Sequence, residues 1–155
     1  MKIESNQFSE GGLIPRVYTC DGAGLNPPLQ FSDIPANARS LVLIIEDPDV
    51  PKSLRPDGMF DHWVLWNIDP HSRGIDTNEH ISAIVGANTT GKTGYIAPCP
   101  PNGEHRYFFK LYALDMILGL PEGSRKEHVL AAIEGHVIVQ AELMGRYGAD
   151  RKKQR

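Results

Sequence analysis

The run "SLVLIIEDPDVP" constrains the fold of this chain more than any other stretch. Leu41 to Ile45 is unbroken apolar sequence containing β-branched residues, and Asp47-Pro48 halts it. A segment that short reads as a buried strand rather than a helix. Three later runs read the same way. "HWVLWNI" (His62–Ile68) alternates, with Val64, Trp66 and Ile68 on one face and Trp63, Leu65 and Asn67 on the other. "RYFFKLYAL" (Arg106–Leu114) is a third strand. "HVIVQAELMGRY" (His136–Tyr147) is a fourth, alternating around Val137, Val139, Ala141 and Leu143. Spread along the chain, 15 glycines and 12 prolines keep the elements short.

One helix is signalled. Ser124 and Glu127 form an S-x-x-E capping box, and Val129, Leu130 and Ile133 follow at helical spacing before Gly135. Strands therefore dominate and are not regularly interleaved with helices. That pattern predicts an antiparallel or mixed sheet with late helical cover, and argues against a doubly wound parallel fold.

A length of 155 residues suits one domain, expected over 1–150, with "RKKQR" at 151–155 as a solvated basic tail. A net charge of −3 leaves no electrostatic footprint for nucleic acid or an acidic membrane surface. Nothing approaches the roughly 18 apolar residues of a membrane span. "MKIESNQFSEGG" lacks the apolar core of a secretory signal, so a cytoplasmic location is the default expectation. Cys20 and Cys99 are too few for a disulfide scaffold, although a fold that brought them together would let them pair.

"GANTTGKT" (86–93) satisfies the G-x-x-x-x-G-K-[ST] string of a phosphate-cradling loop. That chemistry needs the loop to open a helix, whose N-terminus supplies amides and positive dipole. Here Gly94 follows, and Pro98, Pro100 and Pro101 remove donors and bar a helical path. A polar loop is the better reading.

Four clusters carry chemistry: "EDPDVP", "DHW", "CPP" and "EHRY". Each lies at the end of an expected strand, where a rigid frame presents side chains. Singly, each has a bland explanation as a turn former or a surface residue. Together, His62, His105 and Tyr107 supply donors suited to an oxyanion, and Asp47 would favour a protonated imidazole and fix its tautomer. A phosphate ester is a natural guest.

In this order the segments "YTCDGAGLNPPLQFSDIP", "SLVLIIEDPDVP", "FDHWVLWNI", "GKTGYIAPCPPNGEHRYFFKLYALD" and "EGHVIVQAEL" resemble the phosphatidylethanolamine-binding protein family, in its bacterial Raf-kinase-inhibitor-like branch. The resemblance implies a mainly β fold: a central antiparallel sheet, a smaller second sheet and a C-terminal helix. It also implies a small anion-accepting pocket built from Asp47, Asp49, Pro51, His62, Pro101, His105 and Tyr107, with Cys99 beside them. The prolines before His105 would then fix the pocket wall. Ile96-Ala97 departs from the two glycines usual in bacterial relatives, and Cys99 replaces a glycine common in eukaryotic ones. The resemblance further hints that Cys20 and Cys99 lie close enough to form a redox-sensitive disulfide.

The leading functional expectation is a module that binds phosphate, a phosphoethanolamine-like lipid head group or another small anion; the family's name adds, as a separate reading, regulation of an unidentified protein such as a kinase or protease. His62, Tyr107 and the amide of Cys99 would donate to the anion, with His105 shaping the pocket. The alternative is a hydrolase using the same Asp, His, Tyr and Cys set, with Cys99 as a thiol nucleophile. No G-x-S-x-G elbow supports it, and Cys99 is not at a helix start. His62, His105, Asp47 and Cys99 are possible metal ligands, but no ligand spacing joins them, so neither metal nor cofactor is expected.

Overall fold

The computed structural model of the protein describes residues 1–148; the expected tail at 151–155 lies outside the described residues. In chain order come β1 (Lys2–Glu4), a 3-10 turn (Arg16–Tyr18), β2 (Leu29–Ser32), β3 (Ser40–Asp47), β4 (Phe60–Ile68), β5 (Gly74–Ile75), β6 (Ile84–Val85), β7 (His105–Leu114), α1 (Lys126–Ile133) and β8 (Val137–Tyr147). Five strands make a central sheet in the order β6-β4-β3-β7-β8, and three make a smaller sheet, β1-β2-β5. All the strand pairs in both sheets are antiparallel. The helix precedes the last strand. No described helix is long and apolar enough to cross a membrane.

The sequence of β3 follows from its place between β4 and β7. Leu41, Leu43 and Ile45 face the small sheet, packing in one cluster with Ile3, Leu29, Phe31 and Ile75. Val42 and Ile44 face the other way, in a second cluster with Val129 and Ile133 of α1. A strand covered on both sides has no solvent face to carry polar residues, so its run is continuously apolar. Burying each such side chain contributes about 1.5–3 kcal/mol, which is why this strand anchors the sheet.

Strand β4 breaks its expected alternation twice. Leu41 pairs with Ile68 but Leu43 with Leu65, so one extra residue sits between those pairs on β4. Asn67 supplies the bend at φ 55, a conformation asparagine tolerates better than most residues. Its side chain bonds both backbone groups of Leu118, Nδ2 donating to the carbonyl and Oδ1 accepting from the amide, each at 2.8 Å. The extra residue moves Ile68 from the expected company of Val64 and Trp66 to the cluster of Trp63 and Leu65. At the other end, Ile45 pairs with Trp63 but Glu46 with Asp61, which leaves His62 as the additional residue of a second bulge.

Two smaller corrections concern the late elements. The N-cap lies one residue beyond the expected Ser124. Arg125 is the N-cap, and its amide donates to His128 Nδ1, while the Ser124 hydroxyl turns back to the carbonyl of Pro121. Val129 and Ile133 are buried but Leu130 is 41% exposed, because only one stripe of so short a helix meets the sheet. In β8, Val139, Ala141 and Leu143 pack on the core, whereas Val137 lies beyond a register shift opposite Ala113 and Leu114 and is exposed.

Candidate functional site

A cavity of about 510 Å³ opens at one end of the core between the sheets. Three central strands contribute to its floor. On β7, His105 and Tyr107 are two residues apart and continue the inward row of Phe109 and Leu111, so strand period aims both at the cavity. On β3, Asp47 continues the inward row of Leu43 and Ile45. The bulge at the start of β4 lets His62 join them. Its neighbour Asp61 lies opposite Glu46, and both carboxylates meet Lys126 of α1 on the far face of the sheet.

Asp47, His62, His105 and Tyr107 are all buried. His105 Nδ1 donates to Asp47 Oδ2 at 2.6 Å, and Asp47 Oδ1 accepts the Asp49 amide at 2.7 Å. Asp47 therefore fixes the His105 tautomer and leaves Nε2 as its second nitrogen. His62 Nδ1 donates to the carbonyl of Ile96 at 2.7 Å, and the Ile96 amide returns a bond to the carbonyl of His62. Burial pushes the His62 imidazole below its ordinary proton affinity; the Ile96 carbonyl and the Asp47 charge oppose the shift, and His105 adds to it. The Tyr107 ring meets His62 edge-on at 5.3 Å and stacks on His105 at 6.5 Å.

The proline-rich segment forms one wall. Ile96, Ala97, Cys99, Pro100 and Pro101 all line the cavity. Cys99 is joined to Cys20 in a disulfide across 79 residues, with Cα atoms 5.3 Å apart. The amide of Cys20 also bonds the carbonyl of Pro98, and Tyr95 Oη donates to the carbonyl of Tyr18. From the other side Gly148, at φ 127, lies so near that a Cβ there would sit 2.6 Å from Pro100 Cγ. The prolines thus limit the wall's own freedom while the segment at 18–20 and Gly148 brace it.

Of the residues singled out in the sequence, Asp47, His62, Cys99, Pro101, His105 and Tyr107 line the cavity. Asp49 and Pro51 do not. Asp49 instead holds Arg106 in a fork, accepting from its Nε and amide through Oδ2 and from Nη2 through Oδ1, at 2.8–2.9 Å. That guanidinium holds the Asp49 carboxyl below its usual range, against the opposing effect of burial. Pro51 begins the turn that carries the next loop, its carbonyl accepting the amides of Leu54 and Arg55. Cys99, as a disulfide sulfur, is no thiol nucleophile in this state. Among the described residues, no group of three or more His, Cys, Asp or Glu side chains is placed to hold a metal ion.

Sequence reasoning missed the loop between β3 and β4, which supplies Val50, Leu54 and Arg55 to the cavity, and it missed Phe60. The available signal was topological: a loop joining two site motifs has to pass their shared hollow. The loop at 86–93 contributes Thr90 to the rim, and no helix opens from it; the next element is β7.

Comparison with known proteins accords with this architecture. The family described as phosphatidylethanolamine-binding protein matches residues 4–148. A UPF0098 protein of Chlamydia trachomatis is 50% identical over 150 residues, covering 97% of this chain and all of that protein. A UPF0098 protein of Methanothermobacter thermautotrophicus is 44% identical over 153 residues, covering 95% of this chain and 98% of the other. Among solved structures, a phosphatidylethanolamine-binding protein homologue from Chlamydia trachomatis superposes with a TM-score of 0.94 at 50% identity, over 96% of this chain and 97% of that one. Escherichia coli YbcL shares the fold, with a TM-score of 0.85 at 24% identity over 96% and 98% of the two chains. Motif order, sheet topology and these likenesses agree: the chain belongs to the phosphatidylethanolamine-binding protein family.

Proposed function

We propose that the cavity binds a small anion bearing a phosphate-like group, such as a phosphoethanolamine head group, and that the protein acts as a binding module rather than a hydrolase. The observation that carries this reading is the convergence of His62, His105 and Tyr107 from two strands onto one buried floor, with Asp47 orienting His105. His62 Nε2 becomes a donor when the ring is protonated, since Nδ1 is already committed to Ile96. A charge-assisted bond of that kind is worth about 1.5–3 kcal/mol. The disulfide at Cys99 counts against a thiol-based hydrolase. Regulation of a partner such as a kinase or protease rests on family likeness alone.

The sign of the pH dependence follows from His62, which faces Asp47 from β3, His105 and Tyr107 from β7, and Phe60 on its own strand. An anion beside Nε2 raises the proton affinity of the ring. Binding therefore takes up a proton and tightens as pH falls through and below the ordinary imidazole range. Calorimetric titration with phosphoethanolamine between about pH 8 and pH 5.5 tests this. Tighter binding with proton uptake at the acid end is expected, and loss of both in His62→Gln. Affinity that does not change across that range would count against the reading.

A further inference from the structure

The floor of this cavity, formed by Asp47, His62, His105 and Tyr107, holds no lysine or arginine. Asp47 is a carboxylate already bonded on both oxygens, and burial favours neutral His62. Of the residues lining the cavity, Arg55 is the one that carries a permanent positive charge. Its position is set by the loop rather than left to a wandering side chain. The Arg55 amide bonds the carbonyl of Pro51, its carbonyl accepts the amide of Gly58, and Nε donates to the carbonyl of Met59 at 2.8 Å. Nε is so engaged, and the Arg55 side chain, which lines the cavity, is 40% exposed. Next to it Leu54 is 63% exposed. Val50, Phe60, Ile96 and the ring of Pro101 continue an apolar surface inward. A volume of 510 Å³ lies in the range of about 300–1,000 Å³ that suits organic ligands rather than a bare oxyanion.

We propose that Arg55 is the charge-selecting residue of this cavity, and that the ligand it selects is an organic phosphomonoester whose apolar substituent packs on the walls while its phosphate engages the guanidinium. The proposal rests on the anion-binding reading and deepens it. Arg55 is the natural partner for a phosphate because its planar fork matches two oxygens at once. Leu54 and the walls add burial only for a ligand that has an organic part. Asp57 Oδ1 lies 3.6 Å from Nε and competes for the same cation.

Phenyl phosphate, inorganic phosphate and phenol serve as probes, titrated calorimetrically at about pH 8, above the ordinary imidazole range. Wild-type protein is expected to bind phenyl phosphate at least about tenfold more tightly than either of the others. Arg55→Gln is expected to lose about tenfold or more, the size of one charge-assisted contact, and Arg55→Lys less. Asp57→Asn, which frees the guanidinium, is expected to gain about twofold at low salt, and that gain tests the proposal even if Arg55→Gln folds poorly. Phenyl phosphate binding that is equal in wild type, Arg55→Gln and Asp57→Asn overturns the role of Arg55 and leaves the anion-binding reading standing. Inorganic phosphate binding as tightly as phenyl phosphate overturns the organic ligand class. No binding of phenyl phosphate or phosphoethanolamine at pH 8 or at about pH 5.5 overturns both readings.

Discussion

His62 links the stability of the protein to the chemistry of its cavity. Its ring is held neutral by burial, and Nδ1–H is spent on Ile96. In the unfolded chain the same ring regains its ordinary value near 6.5. Between the lower folded value and that value the unfolded state binds more protons, so stability rises with pH. The contribution is fully present above about pH 6.5 and is lost as pH falls through the window beneath it. Urea denaturation of the unliganded protein should therefore weaken on acidification by up to about 1.4 kcal/mol per pH unit from this group. His62→Gln should have a shallower slope, and identical slopes in the two proteins would contradict the assignment. The sequence made the residue legible as a candidate donor only in company with His105, Tyr107 and Asp47 at other strand ends and, alone beside Trp63, as a core-edge histidine. It did not reveal the neutral state, which depends on how completely segments distant in sequence cover the ring. Asp49 is the converse case: a carboxylate in a promising motif whose partner, Arg106, lies 57 residues away.

At the scale of elements, β4 decides where the site falls. Two extra residues, one near each end, turn His62 toward the cavity and Ile68 toward the small sheet. A pattern of strict alternation cannot foresee either, because a bulge is visible only in the register with the neighbouring strand. The long strands were legible since each is an apolar run closed by turn formers. The short strands β1, β5 and β6, of two or three residues, carry too few positions for any period to be seen. The bend at Asn67 offers a direct test. Asn67→Gly keeps the left-handed conformation and loses only the two bonds to Leu118, an expected cost of about 1–2 kcal/mol. Asn67→Ala adds about 1–2 kcal/mol of backbone strain to that loss. Urea midpoints should rank wild type above glycine above alanine, and an alanine variant as stable as the glycine variant would refute the account.

Across the whole molecule, the central sheet is shared between two cores, one beneath the small sheet and one beneath α1, and the cavity sits at an end of the first. The family resemblance made the two-sheet, mainly β fold legible at the outset, while composition and periodicity alone reached only a strand-rich fold with late helical cover. The Cys20–Cys99 link closes a long loop of the unfolded chain, and such a cross-link contributes about 2–4 kcal/mol. Reduction with dithiothreitol, or the Cys20→Ser, Cys99→Ser double variant, should lower the unfolding free energy by about that much. Equal urea midpoints with and without reductant would refute this.

The close approach of Gly148 to Pro100 bears on the order in which the protein becomes competent. The bracing of the wall depends on positions as early as Cys20 and as late as Gly148. During synthesis, a growing polypeptide can lay down its middle strands long before that bracing is complete. Ligand occupancy in the fully braced geometry is thereby deferred until synthesis has passed Gly148, so a filled hollow would report that every segment from Cys20 to Gly148 had been delivered.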